Sequence, residues 1–233
     1  MARQARLFIP ECPVVLELQG VGGQDVFKTR EAFAFFRDRL PVSAREEGVQ
    51  VHAYGLATVG AMVMLQVNDA QQAGRFVQNL NRHFSPVIKD AQPALGGPVW
   101  EPRFKSTVVQ PGSRSLKACL FVEQLALRVH QTLDLATYPW SSYAAHAGVV
   151  NEAWLADLPS YWALGNTPFE RQSRYRQFSE QGFSERDQRE LSECIHKGWL
   201  WSDDAFFQQV DLLANRSARP RPRGRPPKAE SVR

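Results

Sequence analysis

From His52 to Val67 the chain reads HAYGLATVGAMVMLQV, without a single Asp, Glu, Lys or Arg. Val49–Leu56 and Ala61–Val67 have strand character, and the second segment is apolar on both faces apart from Gln66. A strand that offers solvent no face belongs in the middle of its sheet. Whatever else the chain forms, it must build a sheet around this hairpin.

The flanking segments supply the rest of that sheet. Residues 12–20, CPVVLELQG, read as a strand, with Gly20, Gly22 and Gly23 as the turn after it. Thr29–Leu40 places Phe33, Phe36 and Leu40 at helical spacing, with Thr29 as N-cap and Glu31 in the first turn. Asp69 caps a helix over about 70–89, whose apolar face is Phe76, Leu80, Phe84 and Val87; Pro86 should kink or end it. Residues 92–98 form a Pro/Gly loop, Arg103–Gln110 a fourth strand, and Ser115–Gln131 a Leu-rich helix. The order β-α-β-β-α-β followed by helix predicts an α+β, ferredoxin-like fold, an antiparallel sheet with helices on one face. Beyond Tyr138–Tyr143, YPWSSY, the pattern predicts short helices only, over about 152–165, 168–181, 184–197 and 203–214. The expected organisation is a body of residues 1–146, a helical region 147–215 and a tail 216–233 with no apolar periodicity, expected to be disordered when free.

With 233 residues, 43% of them apolar, the chain can bury a sizeable core. It has no apolar run of membrane-spanning length, and its short basic start lacks the apolar stretch of a secretory signal. Cys12, Cys119 and Cys194 are odd in number and far apart, which argues against a disulfide framework or a zinc cluster. A reduced, cytoplasmic setting is expected. The net charge of +4 is unevenly spread: from Arg216 onward six Arg and one Lys face one Glu, while the preceding residues hold 21 basic and 23 acidic side chains. The basic character belongs to the tail, so by charge the body is a poor nucleic-acid surface unless it holds a local patch.

Several strings, in this order and spacing, resemble the REP-associated tyrosine transposases of the HUH single-strand class: MARxAR at the start, Gln24-Asp25-Val26-Phe27, His52-Ala53-Tyr54, YPWSSY at 138–143, Glu170-Arg171-Gln172-x-x-Tyr175-Arg176 and the basic ending. The resemblance spans nearly the whole chain. It implies a tyrosine hydroxyl that attacks single-stranded DNA to give a 5′-phosphotyrosine. It further implies a His-x-His pair holding a divalent Mg or Mn ion that polarises the phosphate, and cations that hold the strand.

The chain departs from that pattern at each of these parts. The His pair falls on Gly60 and Met62; one has no ligand atom and the other is a poor ligand for a hard cation. The tyrosine falls on Phe84 or Val87, the cationic Arg-Gly-Asn-Arg-Arg turn on Gln19–Gly23, and the Tyr-Ile-x-Leu-Asn-Pro segment on Phe121–Ala126. The resemblance therefore implies a transposase scaffold without catalytic residues, without metal ligands and without a cofactor. His52 and His83 do not replace the pair, and His130, His146 and His196 are scattered.

Two stretches remain as candidate DNA contacts. In the tail, Arg219, Arg221, Arg223, Gly224, Arg225, Pro226 and Lys228 resemble an AT-hook around Arg-Gly-Arg-Pro: prolines keep the chain extended and the arginines suit a narrow A·T minor groove. The plainer reading is a basic tail with salt-dependent, non-specific affinity. In the body, Arg103 and Lys105 are placed to touch a nucleic-acid backbone, beside a Trp100 that either stacks on a base or packs in the core. The expected partner is DNA, as an A·T-rich duplex or a single-stranded hairpin, with a homodimer left open. Two other functions stay open: an active nuclease with relocated ligands, and a module that binds another protein.

Overall fold

The computed structural model describes residues 5–93 and 97–219. Among them, β1 (Val14–Gln19), α1 (Arg30–Glu47), β2 (Gln50–Ala57), β3 (Gly60–Gln66), α2 (Gln72–Ala91) and β4 (Lys105–Val109) follow the β-α-β-β-α-β order. With a short fifth strand, β5 (Leu200–Trp201), the sheet order is β2-β3-β1-β4-β5, antiparallel except at its last pair. β3 lies inside the sheet between β2 and β1, as its two apolar faces require.

Local chemistry starts both helices of the repeat. The Thr29 hydroxyl accepts the amide of Ala32, and Asp69 Oδ1 accepts those of Gln71 and Gln72. Both helices run past their prolines. α1 continues beyond Pro41 because Ser43 and Ala44 are buried, Ser43 bonding to Asn79 of α2 at 2.9 Å. α2 continues beyond Pro86 to bury Ile88. In each case tertiary packing outweighs the lost backbone bond.

After β4 come α3 (Ser113–Glu123), α4 (Leu125–Arg128), α5 (Tyr143–His146), α6 (Pro159–Trp162), α7 (Pro168–Gln181), α8 (Glu185–Lys197), β5 (Leu200–Trp201) and α9 (Asp204–Val210). Two features differ from the all-helical expectation for this region. The helix expected over 152–165 shrinks to α6, since Pro159 starts that helix and holds Leu158 extended; the chain before it follows β2, with Ala156 N donating to Val51 O and Trp154 stacked on Tyr54. The second difference is β5. Gly198, in the left-handed conformation, ends α8. Leu200 and Trp201 then pair parallel to β4 and fill opposite faces of the sheet.

The sheet is thus covered on both sides. α1 and α2 pack on one face around Phe27, Phe33, Phe36, Phe84 and Trp100. α3 and α5–α8 pack on the other, against Val15, Met62 and Met64, while α9 joins the first face through Val210. YPWSSY seals the β2 edge: Leu56 N donates to Trp140 O, Ser142 N to Tyr54 O, and the Tyr138 hydroxyl to Leu56 O.

Candidate nucleic-acid interface

The two positions where the resemblance calls for metal ligands are packed core. Gly60 pairs with Gln19 and Met62 with Glu17 on β1. A Cβ at residue 60 would lie 2.2 Å from the carbonyl oxygen of Leu18, so no larger residue fits without shifting β1. Met62 is 1% exposed. In front of its thioether lies the Arg128 guanidinium from α4, with Nη2 3.1 Å from Sδ; it also stacks on Phe121 and donates to the Phe121 carbonyl. Burial pushes Arg128 down to about 10, with the Glu17 carboxylate acting in the opposite sense. A residue without a side chain, a buried thioether and an adjacent guanidinium do not fit a divalent cation.

The nucleophile falls on Phe84 or Val87, and the two differ: Val87 is half-buried on α2. Phe84 is fully buried between Phe27, Phe36 and Trp100, with ring centroids 5.0–5.7 Å away. It belongs to the face covered by α1 and α2, whereas Met62 belongs to the other. The sheet separates the two sites. Trp100, 7% exposed in this aromatic cluster, is core and offers no platform for a base.

Beneath the C-terminal helices lies a polar network that the sequence did not reveal. Glu123 Oε1 accepts from the Ser142 hydroxyl at 2.7 Å and meets His146 Nδ1 at 2.6 Å; Oε2 accepts from the Tyr175 hydroxyl at 2.5 Å. Tyr161 donates to the His146 carbonyl. Burial alone would push His146 down, but Cys119 and the Glu123 carboxylate hold it well above its ordinary range. Burial keeps the Cys119 thiol protonated, so the carboxylate is the partner that counts. Cys119, Glu123 and His146 have ligand-type atoms within 4.8 Å of one another. The His–Glu contact is nonetheless of hydrogen-bond length, and the carboxylate's other contacts are taken by hydroxyls, so the group forms a closed network. It joins α3 to YPWSSY and to the Tyr175 segment, giving two of the family-like strings a structural role.

Arg103 and Lys105 are brought together with residues that the sequence reading left apart. They line a cavity of about 190 Å³ with Arg6, Lys197 and Arg216. Lys105 Nζ donates to Gln19 Oε1 at 2.9 Å and lies 4.0 Å from Glu17. Arg6 stacks on Phe104, 3.5 Å from the ring centre. Arg216 bonds to the carbonyl of Gly198, whose αL cap and close approach to that guanidinium favour glycine. Asn215 clips the two ends of the chain together, its side chain bonding to Phe8 N and Arg6 O, both at 2.9 Å. No composition signal marks this site, because its cations come from opposite ends of the chain and from the end of α8.

The start of the tail is also docked. Ala218 is fully buried and accepts from Leu200 N. Arg219 pairs with Asp204, stacks on Phe207 at 4.1 Å and donates to the Asp203 carbonyl. It anchors the chain to α9. Arg221, Arg223, Gly224, Arg225, Pro226 and Lys228, with the disorder expected of the tail, lie outside the described residues. Among the described residues no helix is long and apolar enough to cross a membrane.

No protein-family model matches the chain, and none of the curated proteins matches it. Its fold is that of a solved REP-associated tyrosine transposase bound to a REP hairpin: TM-score 0.51 at 10% identity, over 68% of this chain and 99% of that one. At this identity the likeness establishes the fold alone. A transposase-like crystal structure from Deinococcus radiodurans R1 overlaps more loosely, with TM-score 0.35 and 16% identity over 56% of this chain and 94% of that one, and carries no argument.

Proposed function

We propose that this chain is a transposase-derived DNA-binding protein that does not cleave DNA. The observation that carries this reading is a transposase-type sheet in which the positions called for as metal ligands are core: Gly60 has no room for a Cβ and Met62 lies under Arg128. Of the two candidate nucleophile positions, Phe84 is sealed among aromatic rings on the other face and the half-buried Val87 has no hydroxyl. Without a ligand pair or a hydroxyl there, the body has no means of activating a phosphate. It uses no divalent ion as a cofactor. DNA binding is supported by the AT-hook-like string in the tail and by the hairpin carried by the transposase of the same fold. On this reading Arg223 and Arg225 enter an A·T-rich minor groove, and Arg103 and Lys105 contact a phosphate backbone.

The test measures binding and cleavage on the same full-length protein. Fluorescence anisotropy at fixed salt should show A·T-rich duplex bound more tightly than G·C-rich duplex. Replacing Arg221, Arg223 and Arg225 with Ala should weaken A·T duplex binding roughly tenfold or more. Incubation with hairpin DNA and Mn²⁺ should give no slow-migrating band on a denaturing gel. A covalent protein–DNA band would overturn the non-cleaving reading; full-length protein that binds none of these DNAs would overturn DNA binding.

A further inference from the structure

We propose that the cavity between the N-terminal segment, the start of β4 and the end of α8 is a phosphate-binding site, occupied by a phosphate of a nucleic-acid backbone. The proposal rests on the DNA-binding reading above and deepens it, because it adds Arg6, Lys197 and Arg216 to Arg103 and Lys105 as one defined site.

The charge of the body makes this site exceptional. Residues 1–215 carry more acidic than basic side chains, yet Arg6, Arg103, Lys105, Lys197 and Arg216 converge on one cavity whose described lining contains no Asp or Glu. Two of these cations have carboxylate partners outside the lining: Glu17 lies 4.0 Å from Lys105 on the sheet, and Glu193 pairs with Lys197 along α8. The arginines are crowded enough to feel one another. Burial, with Arg103 adding to it, pushes Arg6 down to about 10 and Arg216 below its ordinary value. Arg6 and Arg216 each bury an Nε without a hydrogen-bond partner. Like charges gathered this way, with donors left over, are costly until an anion joins them. The fold maintains the arrangement nonetheless, through the Asn215 clip and the Arg216–Gly198 bond.

The chemistry selects phosphate. Guanidiniums carry planar donor forks suited to an oxyanion; Arg216 gives both terminal nitrogens to the carbonyls of Ser217 and Gly198 and adds its charge to the site. A space of about 190 Å³ is small for a stacked base, and Arg6 already covers the phenyl ring in the lining, Phe104. The site also continues. His196 lines both this cavity and a neighbouring one of about 470 Å³ lined by Arg128, Arg189 and Glu193. A second opening beside the first gives a chain of phosphates room to continue, as a lone ion would not need.

The test uses the full chain with Arg221, Arg223, Arg225 and Lys228 replaced by Ala, which silences the tail without shortening the protein. Binding of a labelled oligothymidylate about 12 nucleotides long is followed over a salt series. Arg103→Ala with Lys197→Ala, both exposed side chains, should weaken binding about tenfold and flatten the plot of log affinity against log salt by about 0.7 for each phosphate that is no longer neutralised. Arg103→Lys with Lys197→Arg should retain most of the affinity and the slope. Thermal melting of each variant checks that the fold is intact. Unchanged affinity and slope in the Ala variant, or no binding by the tail-silenced protein when the unsubstituted chain binds, would overturn the site and leave tail-mediated binding standing. Failure of the unsubstituted chain to bind any DNA would overturn the underlying reading as well. Stabilisation by inorganic phosphate without oligothymidylate binding would overturn the backbone assignment in favour of a free-phosphate site.

Discussion

The two faces of the sheet are sealed by different physics. Under α1 and α2 the seal is apolar: Phe27, Phe33, Phe36, Phe84 and Trp100 interlock with ring centroids 4.8–6.0 Å apart. Under α3, α5 and α7 it is polar at its centre, with Glu123 gripped by Ser142, His146 and Tyr175. An aromatic core loses stability in proportion to what is removed, whereas a buried network fails when one member leaves, because its partners are stranded. The nucleophile position lies in the first kind of core and the metal positions against the second. On the non-cleaving reading proposed above, restoring cleavage would require two unlike repairs, on opposite sides of a five-stranded sheet.

Three measurements would break or sharpen this contrast. The largest effect is expected from Glu123→Ala, which leaves a buried imidazole and a buried phenol without their acceptor. Denaturant unfolding should show a loss of about 3–5 kcal/mol, and a loss below about 1 kcal/mol would show that the network is not a closed unit. Next is Phe84→Tyr, which puts a hydroxyl back at the nucleophile position. It enters a fully buried aromatic cluster and should cost about 1–3 kcal/mol, with no covalent DNA adduct. An adduct would show that this position still reaches a reactive phosphate.

The smallest effect is a pH dependence of stability. His146 is raised in the folded state by its charged partner, so its contribution should be fully present below the unfolded imidazole value of about 6.5 and fade as pH rises through the higher folded value. His52, in the field of His146, is pushed the opposite way, chiefly by burial, and loses stability on the acid side. Glu123→Gln should remove the alkaline-side slope and leave the acid-side one. A slope that persists in that variant would mean that His146 is not held by Glu123.

Much of the fold was legible because its signals are local. The double-faced apolar pattern of β3, the Thr29 and Asp69 hydrogen bonds, and the helix expected over 168–181 rest on signals within a few residues and appear where the sequence predicts them. The helix end expected at Leu40, the break expected at Pro86 and the helix over 152–165 depended on what packs against those segments, and there the local signal was overruled.

By itself, the sequence determined the β-α-β-β-α-β order and the chemical identities at residues 60, 62 and 84, because element patterning and the presence of a ligand atom or hydroxyl are written residue by residue. Only the tertiary structure decided that Gly60 abuts the Leu18 carbonyl, that Arg128 lies over Met62, that Glu123 joins residues from α5 and α7, and that Arg6 and Arg216 meet Arg103. Each of these depends on contacts between distant segments. Charge or polarity gathered in space from scattered positions leaves no period or run in the chain.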